Sequence, residues 1–560
     1  MKTSVPVGQT TPSAEGGIDQ STEDFRIVWT LGFAGKRLLP DMEAARQALR
    51  AELQALVTAA DQEGARLVAI SSLAVGGDLL FAEECLRASI PFHAMLPFDP
   101  QEFLRDNFSS ADAERFRRCV AGAYHLDVAA VDVDSIRSTE DSGAAKAQAE
   151  NRRDAYLDAG YRIVENSDVM LFLWDGERSG RGGTADAWGY AETLKKPVWR
   201  WDPKAKTTER ARWPGIAGQG RESKRLFHAH LLPELFAAAA LLPTGEVVAS
   251  DTPRQTAVRA RFHQLDTLAV QEQTSTKSGL HRVLDFHLVA IVFAAATFTF
   301  FHKNEPSGWL LTTLFVLAVC GKPICAWLAV QSERQLHHEQ HQDRWIDARL
   351  AAELLRSSVA TWSLPTQPEK VFDIEDFPRF HRLIRSLVIT RAIDQKEVLA
   401  RWTLDRACSE YLVERVQDQQ AFFEKKREAA RQTHLFWEGV FWVATSYVLA
   451  VGLCFAYVHV GEHLLHFPGW RFKPWAENTL ACGIIIAPFI ATYALAIQTI
   501  HDTRRRLTRN EMMVHSLSKQ RGSIERSRSA VAILRQIAAT ERMLAEELHE
   551  WDSVTRHVAV

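Results

Sequence analysis

Four stretches of this chain carry almost no charge, and they limit its fold more than any other feature. Residues 286–301 hold no Asp, Glu, Lys or Arg over sixteen positions, and residues 309–330 hold only Lys322 over twenty-two. Residues 439–460 and 479–500 are of the same kind. A membrane-spanning helix needs about 20 apolar residues, or about 17 at the short end. Four transmembrane helices are therefore expected, the first being the shortest.

The spans come in two pairs, expected to form hairpins. Seven residues (302–308) separate the first two spans and eighteen (461–478) the last two. Lys303, Arg471 and Lys473 are the Lys and Arg of those turns, whereas residues 332–434 contain seventeen and Arg504, Arg505 and Arg506 follow the fourth span. Positive residues stay on the inner side. Both turns should thus face outward, with the N-terminus, the middle segment and the C-terminus cytoplasmic, in a multi-pass protein of the inner membrane.

The rest of the chain has a different character. Its 560 residues leave room for two to four domains. A net charge of −3 gives no global basic field and argues against nucleic acid as a partner. The seven cysteines are scattered without a CxxC pair, so they predict neither a disulfide frame nor a zinc site. Residues 1–24 are polar, rich in Ser, Thr, Gly and Pro, and predict a disordered tail.

Between residues 25 and 203, short apolar runs alternate with helical patterns. Strands are expected at 26–31, 66–71, 91–96, 124–131, 169–174 and 197–201, and helices at 42–62, 79–88, 149–164 and 185–195. Such alternation predicts an α/β Rossmann-like domain with a parallel sheet covered on both faces. Three strands run into glycine turns: Gly32 and Gly35 with Phe33 and Lys36, then Gly76 and Gly77 with Asp78, then Gly182, Gly183 and Thr184 after Trp174. A single glycine pair is more often a tight turn than a ligand site. Three at the carboxyl end of one sheet favour a nucleotide pocket, because loop amides and helix N-termini attract phosphate. Asp78 and Thr184 each fit two roles, capping a helix or bonding to a ligand.

These motifs, from Gly32-Phe33-Ala34-Gly35 through Ser72-Leu73-Ala74-Val75-Gly76-Gly77-Asp78 to Asn166-Ser167-Asp168 and Gly182-Gly183-Thr184, resemble the SLOG superfamily of Rossmann-like nucleotide sensors, which includes DprA and LOG proteins. The resemblance implies that the glycines named, with Asp78 and Thr184, line a pocket for a nucleotide-derived ligand such as an ADP-ribose-like molecule or a cyclic nucleotide. One departure bears on chemistry. LOG phosphoribohydrolases carry a glutamate three places after the threonine, whereas Thr184 is followed by Ala185-Asp186-Ala187. Asp186 is one position out of register and is expected to point elsewhere, so binding is favoured over hydrolysis. Glu165 and Glu192 are expected to be solvated helix residues.

Residues 204–254 are expected to be a linker with one short helix. Two membrane modules follow, 255–362 and 405–560, joined by a cytoplasmic linker at 363–404. Each reads helix–span–span–helix, and the closing helices carry similar residues, Trp345 to Leu355 in one and Leu544 to Trp551 in the other. This architecture resembles the SLATT family of two-transmembrane effector modules. Lys322, deep in a span, has two readings, a stem that snorkels to the inner interface or a pore-lining charge. His337, His338 and His341 are expected on a wet helix face, and Asp373, Glu375 and Asp376 in a linker without a catalytic partner.

The expected function is a membrane effector of bacterial antiphage defence. A nucleotide signal, supplied by a partner enzyme or by infection itself, binds the SLOG-like domain and gates pore formation by a homo-oligomer in the lipid bilayer. The alternative is a membrane-anchored nucleotide or nucleoside hydrolase of the LOG type.

Overall fold

A computed structural model of the chain describes residues 25–105, 108–130, 142–178, 180–213, 232–245, 248, 250–301, 309–339, 341–365, 377–401, 403–463 and 474–557. The expected N-terminal tail, Lys303, Arg471, Lys473, Asp373, Glu375 and Asp376 lie outside the described residues.

The N-terminal part is a seven-stranded sheet of order β4-β3-β2-β1-β5-β6-β7. In chain order it runs β1 (Ile27–Gly35), α1 (Met42–Gln62), β2 (Ala65–Ser71), α2 (Gly77–Arg87), β3 (Phe92–Leu96), α3 (Pro100–Phe103), α4 (Ser110–Gly122), β4 (His125–Val128), α5 (Ser142–Glu165), β5 (Val169–Leu173), α6 (Thr184–Thr193), β6 (Val198–Asp202) and β7 (Thr207–Ala211). All neighbours are parallel except β6 and β7.

Strand periodicity sorts the core into two layers. Trp29, Leu31, Phe33, Leu67, Ala69, Phe92 and Leu171 point to the layer that holds buried residues of α1, α2 and α4. Ile70, Met95, Met170, Phe172 and Val198 point to the other, with Ala159 and Ile163 of α5 and Ala187 of α6. Both faces are covered, which is why these strands are almost continuously apolar.

Two stretches differ from the sequence expectation. β1 does not stop at Leu31. Its first half pairs with β2 and its second half, Leu31 to Gly35, with β5, so the Gly-Phe-Ala-Gly run is strand. The bare Cα of Gly32 lets this happen, since a Cβ there would lie 1.9 Å from Ser167 Oγ. β7 falls in the stretch expected to be a linker and carries the sheet on to Ala211.

The rest is helical: α7 (Leu232–Ala239), α8 (Pro253–Phe301), α9 (Trp309–Glu339), α10 (His341–Ala360), α11 (His381–Arg401), α12 (Leu404–Tyr411), α13 (Asp418–His463), α14 (Pro474–His501), α15 (Thr503–Arg526) and α16 (Ala530–His557). Among the described residues, four helical segments, within α8, α9, α12–α13 and α14–α15, are long and apolar enough to cross a membrane. Their apolar side chains stay exposed, with Leu453 at 62% and Val443 at 72%, as lipid-facing residues would in a structure without lipid. In these segments Gly321 packs on the Phe293 ring, Gly483 on Tyr447, and the Tyr493 hydroxyl donates to Asp285 at 2.5 Å. Lys322 is half-buried beside Pro323, a residue that breaks the helical hydrogen-bond ladder.

Below the spans the helices share two cores, one of which joins Trp345, Ile346 and Leu350 of α10 to Ala545 and Leu548 of α16. The two similar segments thus pack on each other, Trp345 edge-on to Trp551 with ring centres 5.5 Å apart. Between α12 and α13 a π-helical turn, Leu412–Gln417, carries Arg415 inward. That guanidinium is bidentate to Glu541, with both contacts at 3.0 Å, and Tyr411 and Ser357 donate to the same carboxylate.

The sheet and the helical body meet along β1. Ser386 of α11 accepts the Val28 N–H at 2.9 Å, and Arg385 donates to Thr30 Oγ1 at 3.0 Å. Arg382 stacks over Trp29 at 3.8 Å. Both arginines face Asp168, at 3.2 and 3.6 Å, and that carboxylate also accepts the Thr30 N–H.

Candidate nucleotide-binding cleft

Strand order reverses at β1: β2, β3 and β4 build outward on one side, β5, β6 and β7 on the other. Open α/β sheets bind ligands outside the carboxyl ends of the strands at such a switch point. Here that place is a cleft of about 580 Å3, inside the range of about 300–1,000 Å3 usual for small-molecule sites.

Its floor is built from the ends of β1 and β5. The Lys36 N–H donates to Leu173 O at 3.1 Å, and the Gly77 N–H to Lys36 O at 3.0 Å. Gly35 and Gly77 touch through their backbones, a Cβ on either falling 2.9 Å from the other's Cα. Asp78 fixes this junction: its carboxylate accepts the Gly35 N–H at 2.8 Å and the Ser72 hydroxyl at 2.5 Å. Burial pushes the Asp78 carboxyl up to about 6, although those two hydrogen bonds pull the other way.

One wall is the loop from β5 to α6. Asp175 is nearly buried and pairs with Lys36, and with Lys204 at 3.0 Å. Burial alone would raise its carboxyl, but Lys36, the Glu177 amide and Lys204 together bring it down to about 2. Gly182 has φ +81°, a conformation that glycine adopts freely, and a Cβ there would meet Arg153 O at 2.9 Å. Gly183 is the residue before α6 and Thr184 opens it. Asp186 does not border the cleft, whereas Ala187 does; its carboxylate turns back to accept the Gly182 N–H at 2.7 Å and pairs with Arg178 at 3.1 Å. A carboxylate at the third helical position can reach back over the helix start, as in a capping box, and here it takes the amide one residue ahead of the N-cap Gly183.

The other wall is α5, which supplies Arg153 and Tyr156. Arg37 donates to the Tyr156 hydroxyl at 3.2 Å, and Arg181 pairs with Asp154 at 2.9 Å. Lys36, Arg37, Arg153, Arg181 and Lys204 face three carboxylates, Asp78, Asp175 and Glu177. The excess is positive, and a polyphosphate or nucleotide suits it electrostatically.

Of the residues singled out in the sequence, Phe33, Gly35, Lys36, Asp78, Gly182, Gly183 and Thr184 border the cleft. The Phe33 ring itself lies in the core, stacked on Phe81 at 4.4 Å. Gly32, Gly76 and Gly77 stand behind the cleft, Gly32 against the Ser167 and Met170 side chains, Gly77 against the Gly35 backbone and Gly76, with φ +98°, against the Arg37 backbone. Trp174 is buried, donating to Glu177 O at 2.9 Å. Glu165 accepts from the Tyr190 hydroxyl and Glu192 pairs with Arg212, both at the surface. Sequence reasoning missed Arg153, Tyr156, Asp175 and Lys204. The i, i+3 spacing of Arg153 and Tyr156 on one face of α5 was the available signal.

No family model matches the chain, and no curated protein shows significant sequence similarity to it.

Proposed function

We propose that this protein is a membrane-bound sensor-effector, in which a nucleotide-derived ligand bound at the sheet's switch point changes the state of the membrane-spanning helices. The observation that carries this reading is the position of β1. One end of the strand forms the cleft floor at Gly35 and Lys36, and the other is clamped by Ser386, Arg385 and Arg382 of α11. Thr30 and Lys36 are six residues apart, about 20 Å along a strand. A ligand that breaks the Lys36–Asp175 pair therefore acts on the element that α11 grips. It shifts the helices to the extent that it binds one of their states better.

In this reading the four apolar helices form two hairpins with cytoplasmic termini in the inner membrane, and subunits assemble into a pore. The resemblance of the glycine motifs to SLOG domains, and of the paired helix–span–span–helix modules to the SLATT family, supports a role in antiphage defence, with a partner enzyme or infection supplying the signal. Full-length protein in detergent, screened for thermal stabilisation by ADP-ribose, cyclic nucleotides, NAD and nucleoside phosphates, tests it. A ligand at about 100 times its dissociation constant adds about 2.7 kcal/mol. Stabilisation by none of them contradicts the reading.

Asp78 favours a second reading, a membrane-anchored hydrolase, because its carboxyl titrates near neutrality at the cleft. Mass spectrometry of the stabilising ligand separates the two: recovery intact supports the sensor, recovery cleaved the hydrolase.

A further inference from the structure

A second cleft, of about 300 Å3, opens where α8, α10, α13, α15 and α16 meet. Some of its cations are matched. Arg349 reaches Asp266 at 2.9 Å and Glu353 at 2.6 Å, and Arg509 pairs with Glu547. Two others, and a third cation nearby, make no such contact: Asp502 attracts Arg506, and Asp266 and Glu547 attract Lys426, only from beyond ion-pair distance. Lys426 and Arg506 line the cleft, and Lys277 is close enough to feel the charge of both. Among the described residues, none of these three makes an ion pair with a carboxylate. Lys426 instead stands 5.1 Å from the centre of the Phe422 ring.

The three cations come from α8, α13 and α15, that is, from both helical modules. Holding like charges together at a cleft costs free energy unless an anion occupies it. Lost hydration and the charges of Arg506 and Lys426 push Lys277 down to about 8; lost hydration and the charges of Arg349 and Arg506 lower Lys426 too, against the pull of Asp266 and Glu547.

Depth matters too. Lys277 lies nine residues before the first span and Arg506 six after the fourth, about 14 and 9 Å along a helix axis. The headgroup layer extends about 5–8 Å beyond the hydrocarbon, so both side chains come within reach of it. Lys426 lies deeper, thirteen residues before the third span.

We propose that Lys277, Lys426 and Arg506 form an anion site that binds a phosphate group and so ties the first helical module to the second. The phosphate belongs to a lipid headgroup or to a soluble phosphate compound. The lipid source rests on the four apolar helices crossing a bilayer, and the site itself does not depend on what the sheet cleft binds.

The test uses full-length protein in nanodiscs at constant ionic strength. Phosphatidylcholine discs serve as the blank, phosphatidylglycerol is added as the headgroup probe, and pyrophosphate with phosphatidylcholine discs is the soluble probe. The expected result is a rise in Tm with at least one probe. Lys277→Gln, Lys426→Gln and Arg506→Gln should each weaken the apparent affinity about tenfold, the scale of one charge-assisted hydrogen bond. A rise confined to phosphatidylglycerol identifies the headgroup, and a rise confined to pyrophosphate the soluble source. In the blank discs Lys277→Gln should match or exceed the wild-type Tm, because repulsion from Arg506 and Lys426 is relieved. No rise with either probe overturns the proposal, as does a rise that survives in the Lys426→Gln/Arg506→Gln double variant and so belongs to the sheet cleft. A lower Tm of Lys277→Gln in the blank overturns it equally, since the lysine would then have its counter-charge within the protein.

Discussion

Asp78 shows how one buried carboxyl ties the floor of the candidate cleft together and makes the fold pH-sensitive. Its pKa rises from 3.8 to about 6 on folding. Between those values the folded state binds more protons than the unfolded one, so stability falls as pH rises through the window. The shift corresponds to about 3 kcal/mol at about 1.36 kcal/mol per unit. Asparagine at this position can still accept the Gly35 N–H and contact Ser72 without charge. The Tm of Asp78→Asn relative to wild type should therefore climb between pH 4 and 6.5, and parallel Tm–pH curves would contradict this. Asp175 behaves oppositely: its carboxyl is depressed to about 2, so its contribution is present above pH 4 and is lost as pH falls through 2. Asp186 bears on ligand binding more directly, because its carboxylate occupies the Gly182 amide. Asp186→Ala should cost ~1 kcal/mol of stability while strengthening the binding of a phosphate-bearing ligand, as calorimetry would show. Weaker binding would mean that the carboxylate shapes the loop for the ligand.

Among the elements, the π-helical turn before α13 and the carboxylate of α16 form a heavily committed contact. Arg415 and Glu541 are both almost fully buried. Removing one partner of such a pair strands a charge, at about 3–5 kcal/mol. Glu541→Ala should lose that much in denaturant unfolding, and a loss below 1 kcal/mol would contradict the assignment. This contact was not legible in the sequence, because Arg415 lies in a polar helical stretch and nothing local marks its turn inward. The sheet was largely legible. Its central strands are apolar runs, three of them leading into glycine turns, and both faces are covered. β7 escaped notice because Thr207 to Glu209 are all exposed, and an edge strand without a buried face has no hydrophobic signal. The end of β1 was misplaced for the converse reason: Gly-Phe-Ala-Gly has turn composition, but the close approach of β5 and α2 requires glycine inside the strand. At the cleft, the glycine loops were visible as motifs, whereas Arg153 and Tyr156 gave only an i, i+3 spacing that any helix face can show, and Lys204 follows β6 with no motif around it.

Across the whole molecule, the account depends on β1 linking cleft and helices. The Arg382→Ala/Arg385→Ala variant removes the α11 clamp on Trp29, Thr30 and Asp168 and leaves the cleft residues in place. It should bind ligand with unchanged affinity and lose any effect of that ligand on the membrane. The most direct measurement is dye release from liposomes containing the full-length protein, with each compound that raises its Tm. The account predicts release on adding the stabilising nucleotide-derived compound, abolished in Thr184→Ala combined with Gly183→Trp and in the Arg382/Arg385 variant. Stabilisation without release in the wild type, or undiminished release from the clamp variant, would contradict it.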